Sequence, residues 1–117
     1  MAWDRLESAR DSLASGFPSA AVSSAYYAML YATRAALSEE DRYAKTHSGT
    51  WNLFRQAFVN EGRFDGALFA SAQQTQRVRE GTDYDAVAVT STEASEVVVL
   101  AGRFVTAVVA SLEPPAA

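Results

Sequence analysis

The chain has 117 residues, 49% of them hydrophobic and 21% charged, enough for one domain with a single core. It has no cysteine and one histidine, His47, which excludes disulfides and thiolate metal sites and argues against an all-protein zinc centre. The net charge of −4 argues against a bulk-basic nucleic-acid binder, although residues 34–79 hold seven basic side chains against five acidic and the remainder three against nine.

Trp3, Leu6, Arg10 and Leu13 give a short amphipathic first helix ending near Gly16. Pro18 then opens a second helix running to about Leu37, since glycine past one helix and proline at the start of the next are the usual signals. Its stripe of Ala21, Ser24, Ala25, Ala28, Ala32 and Ala35 is small, so neighbouring axes can come close. Tyr27, Met29, Leu30 and Tyr31 cover its other faces, and a helix apolar nearly all round is buried by more than one neighbour. Phe17 to Thr33 carries no charge, but its serines and tyrosines, and a length below the roughly 20 residues of a span, predict a buried central helix and no membrane.

Ser38 to Lys45 reads as a charged loop. Thr46 caps a third helix anchored by Trp51, Phe54, Phe58 and Val59 and stopping at Gly62. Asp65 caps a fourth, ending near Thr82, with Asp83 to Val89 as connector. Thr90-Ser91-Thr92-Glu93 fits a capping box for a fifth helix, along which Ala94, Val97, Ala101, Phe104, Val105, Val108 and Leu112 repeat at helical spacing. That period outweighs the β-branched run Val97 to Leu100. The predicted fold is all-α: an antiparallel up-and-down helical bundle of about five helices over residues 1–112, with a disordered tail at 113–117.

The fourth helix carries the most informative side chain. Leu68 and Ala72 lie eleven and seven residues before Arg79, about three and two turns, so Arg79 continues the apolar stripe. A guanidinium aimed at a packing surface must be paired or serve a ligand.

Four strings now resemble one family. Ser24-Ala25-Tyr26-Tyr27-Ala28-Met29-Leu30-Tyr31-Ala32 resembles the second-helix signature of HEPN domains, and Lys45-Thr46-His47-Ser48-Gly49 the start of their third helix. Phe58-Val59 with Gly62 resembles the third-helix exit, and Arg79-Glu80-Gly81-Thr82-Asp83-Tyr84-Asp85 the end of the fourth. The resemblance covers about residues 3–112. It implies a bundle that forms a homodimer, with the fourth-helix motifs of two subunits lining one cleft. Many members are metal-independent ribonucleases, often toxins paired with a small nucleotidyltransferase antitoxin; others are non-catalytic binding modules. The nuclease motif is Arg, four to six residues, then His. Here Tyr84 stands where that histidine is expected.

Cleavage by the 2′-hydroxyl needs a base, an acid and a cation for the developing phosphorane charge. Arg79 can be the cation and bind phosphate. Asp83, four residues on, pairs with Arg79 or orients it. A phenol with a pKa near 10 is a poor base at neutral pH, so Tyr84 packs, donates a hydrogen bond, or accepts an adenylate from the transferase. His47 either caps and packs or reaches the Arg79 cleft as acid or base. Tyr26, Tyr27 and Tyr31 read as packing residues whose hydroxyls need partners, and Trp3 and Trp51 as core. No metal and no cofactor are expected. With no secretory signal visible, the expected location is cytoplasmic. Three functions stay open: a toxin-like protein acting on RNA beside a nucleotidyltransferase antitoxin, a non-catalytic HEPN module that binds nucleotide or a partner protein and regulates a transferase, or a purely structural dimerisation module.

Overall fold

The computed structural model describes residues 1–84 and 89–112, with the backbone alone for residues 80–84. Five α-helices follow in chain order: α1 Ala2–Ala14, α2 Pro18–Ser38, α3 His47–Phe54, α4 Gly66–Tyr84 and α5 Ser91–Leu112. A π-helical turn, Arg55–Val59, continues α3. The described residues include no strand, and Val97 to Leu100 is helical as its period predicts.

Helix α2 is the centre of the bundle and packs against α1, α3, α4 and α5. Ala21, Ala25, Ala28, Ala32 and Ala36 are all buried along it, and their short side chains let those neighbours approach. Val22, Met29, Leu30 and Leu37 fill the remaining inward positions. At the α3 end the core is aromatic. Phe54 stacks on Phe58 with ring centroids 4.5 Å apart, and Trp51 meets Phe69 and Phe104 edge-on at 5.9 Å.

The helix starts follow their expected caps. Gly49 N–H donates to Thr46 Oγ1 at 2.9 Å, and Ala67 N–H to Asp65 Oδ1 at 2.8 Å. Glu93 N–H donates to Thr90 Oγ1 at 3.0 Å, while Thr90 N–H reaches back to the Glu93 carboxylate at 3.4 Å, closing the capping box. Three helix ends share one exit, in which a left-handed residue lets the next amide reach five residues back. Phe17 N–H bonds Ser12 O after Gly16 (φ 84°), and Arg63 N–H bonds Phe58 O after Gly62 (φ 73°). The third is the end of α2, where Arg42 N–H bonds Leu37 O at 2.9 Å and Asp41 takes the left-handed position at φ 55°. Aspartate tolerates that region better than most side chains. The segment expected as a plain charged loop is thereby folded tightly onto the end of α2.

Two expectations change. Trp3 is 53% exposed rather than in the core. The inward stripe of α1 is Ala2, Leu6, Ala9 and Leu13, and Trp3 falls on its flank beside Arg10, Leu68 and Val99. Helix α4 runs to Tyr84, so Asp83 and Tyr84 belong to the helix rather than the connector. Connector residues 85–88 and the expected tail at 113–117 lie outside the described residues. α5, not the second helix, is long and apolar enough to cross a membrane by length and composition, and its Ala94, Val98, Ala101, Phe104, Val105 and Val108 are buried in the bundle.

One ion pair ties the end of α2 to the exit of the π turn: Arg63 Nη2 lies 2.6 Å from Glu40 Oε2, with its guanidinium 4.0 Å above the Phe58 ring. The hydrogen bond from Arg63 lowers the Glu40 carboxyl pKa against an opposing desolvation, and the charges of Arg63 and Arg42 add to the lowering. Glu40 therefore binds a proton less tightly folded than unfolded. Its stabilisation is complete above the ordinary glutamate value of about 4.3 and is lost as pH falls through the lower folded value. Arg63 is raised still further above any working pH and adds no second window. Arg63→Gln is expected to return Glu40 toward the ordinary value and to flatten the acid limb of stability. Side-chain NMR titration of Glu40 checks this; an unmoved midpoint would place the cause elsewhere.

Candidate functional site

Adjacent residues on a helix point about 100° apart, so Tyr26 and Tyr27 of α2 leave the axis in different directions. Tyr26 is fully buried and Tyr27 half-buried, and their rings meet edge to face at 5.5 Å. Each hydroxyl is satisfied by a different helix. The Trp51 indole N–H of α3 donates to the Tyr26 oxygen at 3.3 Å, and His47 Nδ1 lies 3.2 Å from the same oxygen. Arg79 Nη2 of α4 donates to the Tyr27 oxygen at 3.1 Å. The guanidinium carbon of Arg79 also stands 5.3 Å and 5.1 Å from the ring centroids of Tyr26 and Tyr27, within cation–π range. The His47 ring lies 5.8 Å and 5.9 Å from the same two rings. Arg79 and His47 therefore flank one tyrosine pair, although 32 positions separate them in the chain.

Local structure sets both side chains. His47 is the first residue of α3, directly after the Thr46 cap. Thr50 Oγ1 donates to Thr46 O at 2.8 Å and tightens that first turn. A Cβ on Gly49 would stand 2.8 Å from Thr46 Oγ1, so the glycine leaves room for the cap that orients His47. Arg79 lies on the inward stripe of α4 above Ala72 and Thr75, both buried.

The His47–Tyr26 contact accommodates two protonation states. With Nδ1 accepting from the phenol, a neutral ring carries its proton on Nε2; with Nδ1 protonated, the bond reverses and the phenol oxygen accepts. Trp51 is donor-only and occupies one lone pair of that oxygen, leaving a second for an imidazolium.

The sequence matches the model of the HEPN domain over residues 1–112. The chain belongs to the HEPN domain family. A protein of Methanocaldococcus jannaschii named a putative toxin is 33% identical over 81 residues, 69% of this chain and 55% of that one. A UPF0332 protein of Gloeobacter violaceus is 38% identical over 63 residues, 54% of this chain and 50% of that one. The chain thus spans about half the length of these curated relatives.

Within this HEPN bundle, Arg79 and His47 share one cluster. Asp83 and Tyr84 lie in the last turn of α4, and their side chains lie outside the described residues. Tyr26, Tyr27 and Trp51, read from the sequence as packing, are the groups that join Arg79 to His47. The available signal was two consecutive tyrosines on a helix otherwise rich in small and apolar residues, since buried phenols oblige polar partners.

Tyr26→Phe removes the acceptor of a buried indole N–H as well as the His47 contact. A loss of about 1–3 kcal/mol is expected in urea denaturation. An unchanged midpoint at equal slope would show that the hydroxyl does not hold α2 to α3.

Proposed function

We propose that this HEPN protein is toxin-like and RNA-directed, acts as a homodimer, and is paired with a nucleotidyltransferase antitoxin. The observation that carries this reading is the convergence of Arg79 and His47 on Tyr26 and Tyr27. The relative named a putative toxin supports the toxin-like part. The dimer and the transferase rest on the family resemblance.

In this reading Arg79 binds a phosphate of the RNA, with Asp83 orienting it from one turn along α4. The 2′-hydroxyl attacks the adjacent phosphorus: a bond from O2′ to phosphorus forms and the bond to O5′ breaks. The products are a 2′,3′-cyclic phosphate and a 5′-hydroxyl. His47 takes the 2′ proton or supplies one to O5′, water or Tyr84 completing the other transfer. Arg79 stabilises the negative charge on the equatorial oxygens. Tyr26 hydrogen-bonds His47 in both of its states, as an acid–base group requires. Transfer of AMP from ATP to the Tyr84 oxygen by the transferase, with the phenol proton lost and pyrophosphate released, adds bulk and negative charge close along the chain to Arg79 and blocks phosphate.

Tyr84 in place of the motif histidine favours a second reading, a non-catalytic module that binds nucleotide or a partner protein and regulates the transferase. Incubation of the purified protein with RNA in EDTA separates the two. The first reading expects cleavage by the wild type and loss of RNA binding in an Arg79→Ala variant that is still folded by circular dichroism at the assay temperature. It also expects a fall of about 10²–10⁴-fold in cleavage, with binding kept, in His47→Gln. Arg79-dependent binding without cleavage selects the module. RNA binding that survives Arg79→Ala overturns both assignments of that arginine.

A further inference from the structure

A second candidate site, mostly apolar with two arginines on its lining, lies at the far end of α2. A cavity of about 550 Å³ opens between the end of that helix and the tight turn that follows it. Tyr31, Arg34, Ala35 and Leu37 of α2 line one side, and Arg42 and Tyr43 of the turn the other. The turn is held in place by the amides of Asp41 and Arg42 bonding back to Ser38 and Leu37, so the Arg42 side chain starts from a fixed backbone. None of the three neighbouring carboxylates, Glu39, Glu40 and Asp41, lines the cavity. Glu40 is committed to Arg63 at 2.6 Å and only grazes Arg42 at 3.9 Å. Arg34 makes no ion pair or hydrogen bond among the described residues. Arg5, outside the cavity lining, stands over the Tyr31 ring at 5.8 Å.

The chemistry is that of a site for a flat aromatic group bearing an anion. Two phenol rings and apolar walls suit a nucleobase, two guanidinium groups suit its phosphate, and the volume is within the range of single small-ligand sites. Its position adds a connection. The Tyr31 ring lies 5.8 Å from that of Tyr27, whose hydroxyl holds Arg79. An aromatic path therefore runs along α2 from the Arg79 cluster into the cavity.

We propose that this cavity is a nucleotide subsite, taking one base against Tyr31 and Tyr43 and its phosphate on Arg34 and Arg42. In single-stranded RNA it holds a nucleotide flanking the one at Arg79. That second statement rests on the RNA-directed reading of the Arg79 cluster; the nucleotide chemistry of the cavity does not.

The test measures binding of a labelled hexaadenylate and of AMP to the wild type, Arg34→Gln/Arg42→Gln, Tyr43→Ala and Arg79→Ala, with melting points as fold controls. The double variant is expected to weaken hexaadenylate about tenfold or more. Its salt dependence should be shallower by about 0.7 in log–log slope for the one phosphate released. Tyr43→Ala, at an exposed position, is expected to weaken it about fivefold or more. AMP should bind Arg79→Ala as it binds the wild type and fail to bind the double variant. If the double variant binds both ligands within twofold of wild type while Arg79→Ala loses the RNA, the subsite is wrong and the Arg79 reading stands. If the wild type binds AMP through Arg34 and Arg42 but not RNA, the cavity assignment stands and the RNA-directed reading falls. Binding of neither ligand overturns both.

Discussion

Two phenols on the most buried helix constrain the rest of the molecule. Tyr26, fully buried, and Tyr27, half-buried, sit on α2, which every other helix contacts, so their hydroxyls lose water on folding and are paired from neighbouring elements. An unpaired buried hydroxyl costs roughly 1–3 kcal/mol, a sizeable fraction of the stability of a domain this size. The pairing draws in α3 through Trp51 and His47 and α4 through Arg79. Alanines above and below the tyrosines let those helices come close enough for side chains to reach.

The same contacts that satisfy the phenols bring a cation and an imidazole to one place. Structural and functional accounts of Arg79 are thus not rivals: the tyrosines hold the guanidinium in a fixed orientation, and a fixed guanidinium is the better phosphate ligand. The chain carries a net charge of −4, so a field spread over its whole surface does not favour RNA. Any anion recognition would have to be local, which is what the two proposed arginine sites at opposite ends of one aromatic run provide.

What the sequence revealed follows the range of the interactions involved. Caps at Thr46, Asp65 and Thr90 and exits at Gly16 and Gly62 are local, and each was readable from a few neighbouring residues. The inward phase of Arg79 was readable from Leu68 and Ala72 for the same reason. Asp41 was not, because the left-handed residue there is not glycine, and the π turn at Arg55–Val59 leaves no mark on the apolar period. Trp3 misled because size suggested burial where helical phase placed it on a flank. The convergence of His47 and Arg79 on one tyrosine pair stood in the sequence only as one of two alternatives for His47. It depends on α2 standing between α3 and α4, and on hydroxyl contacts between residues 21 and 52 positions apart.

If Arg79 and His47 act as one unit through the tyrosine pair, substitutions at the two are energetically coupled. A double-mutant cycle on the rate of RNA cleavage in EDTA reads this coupling, with Arg79→Gln, His47→Gln and the combined variant measured at fixed salt. Coupled residues should give an interaction energy of about 0.5–3 kcal/mol. Effects that add within about 0.3 kcal/mol would contradict the account, because the two side chains would then act independently of the tyrosines between them.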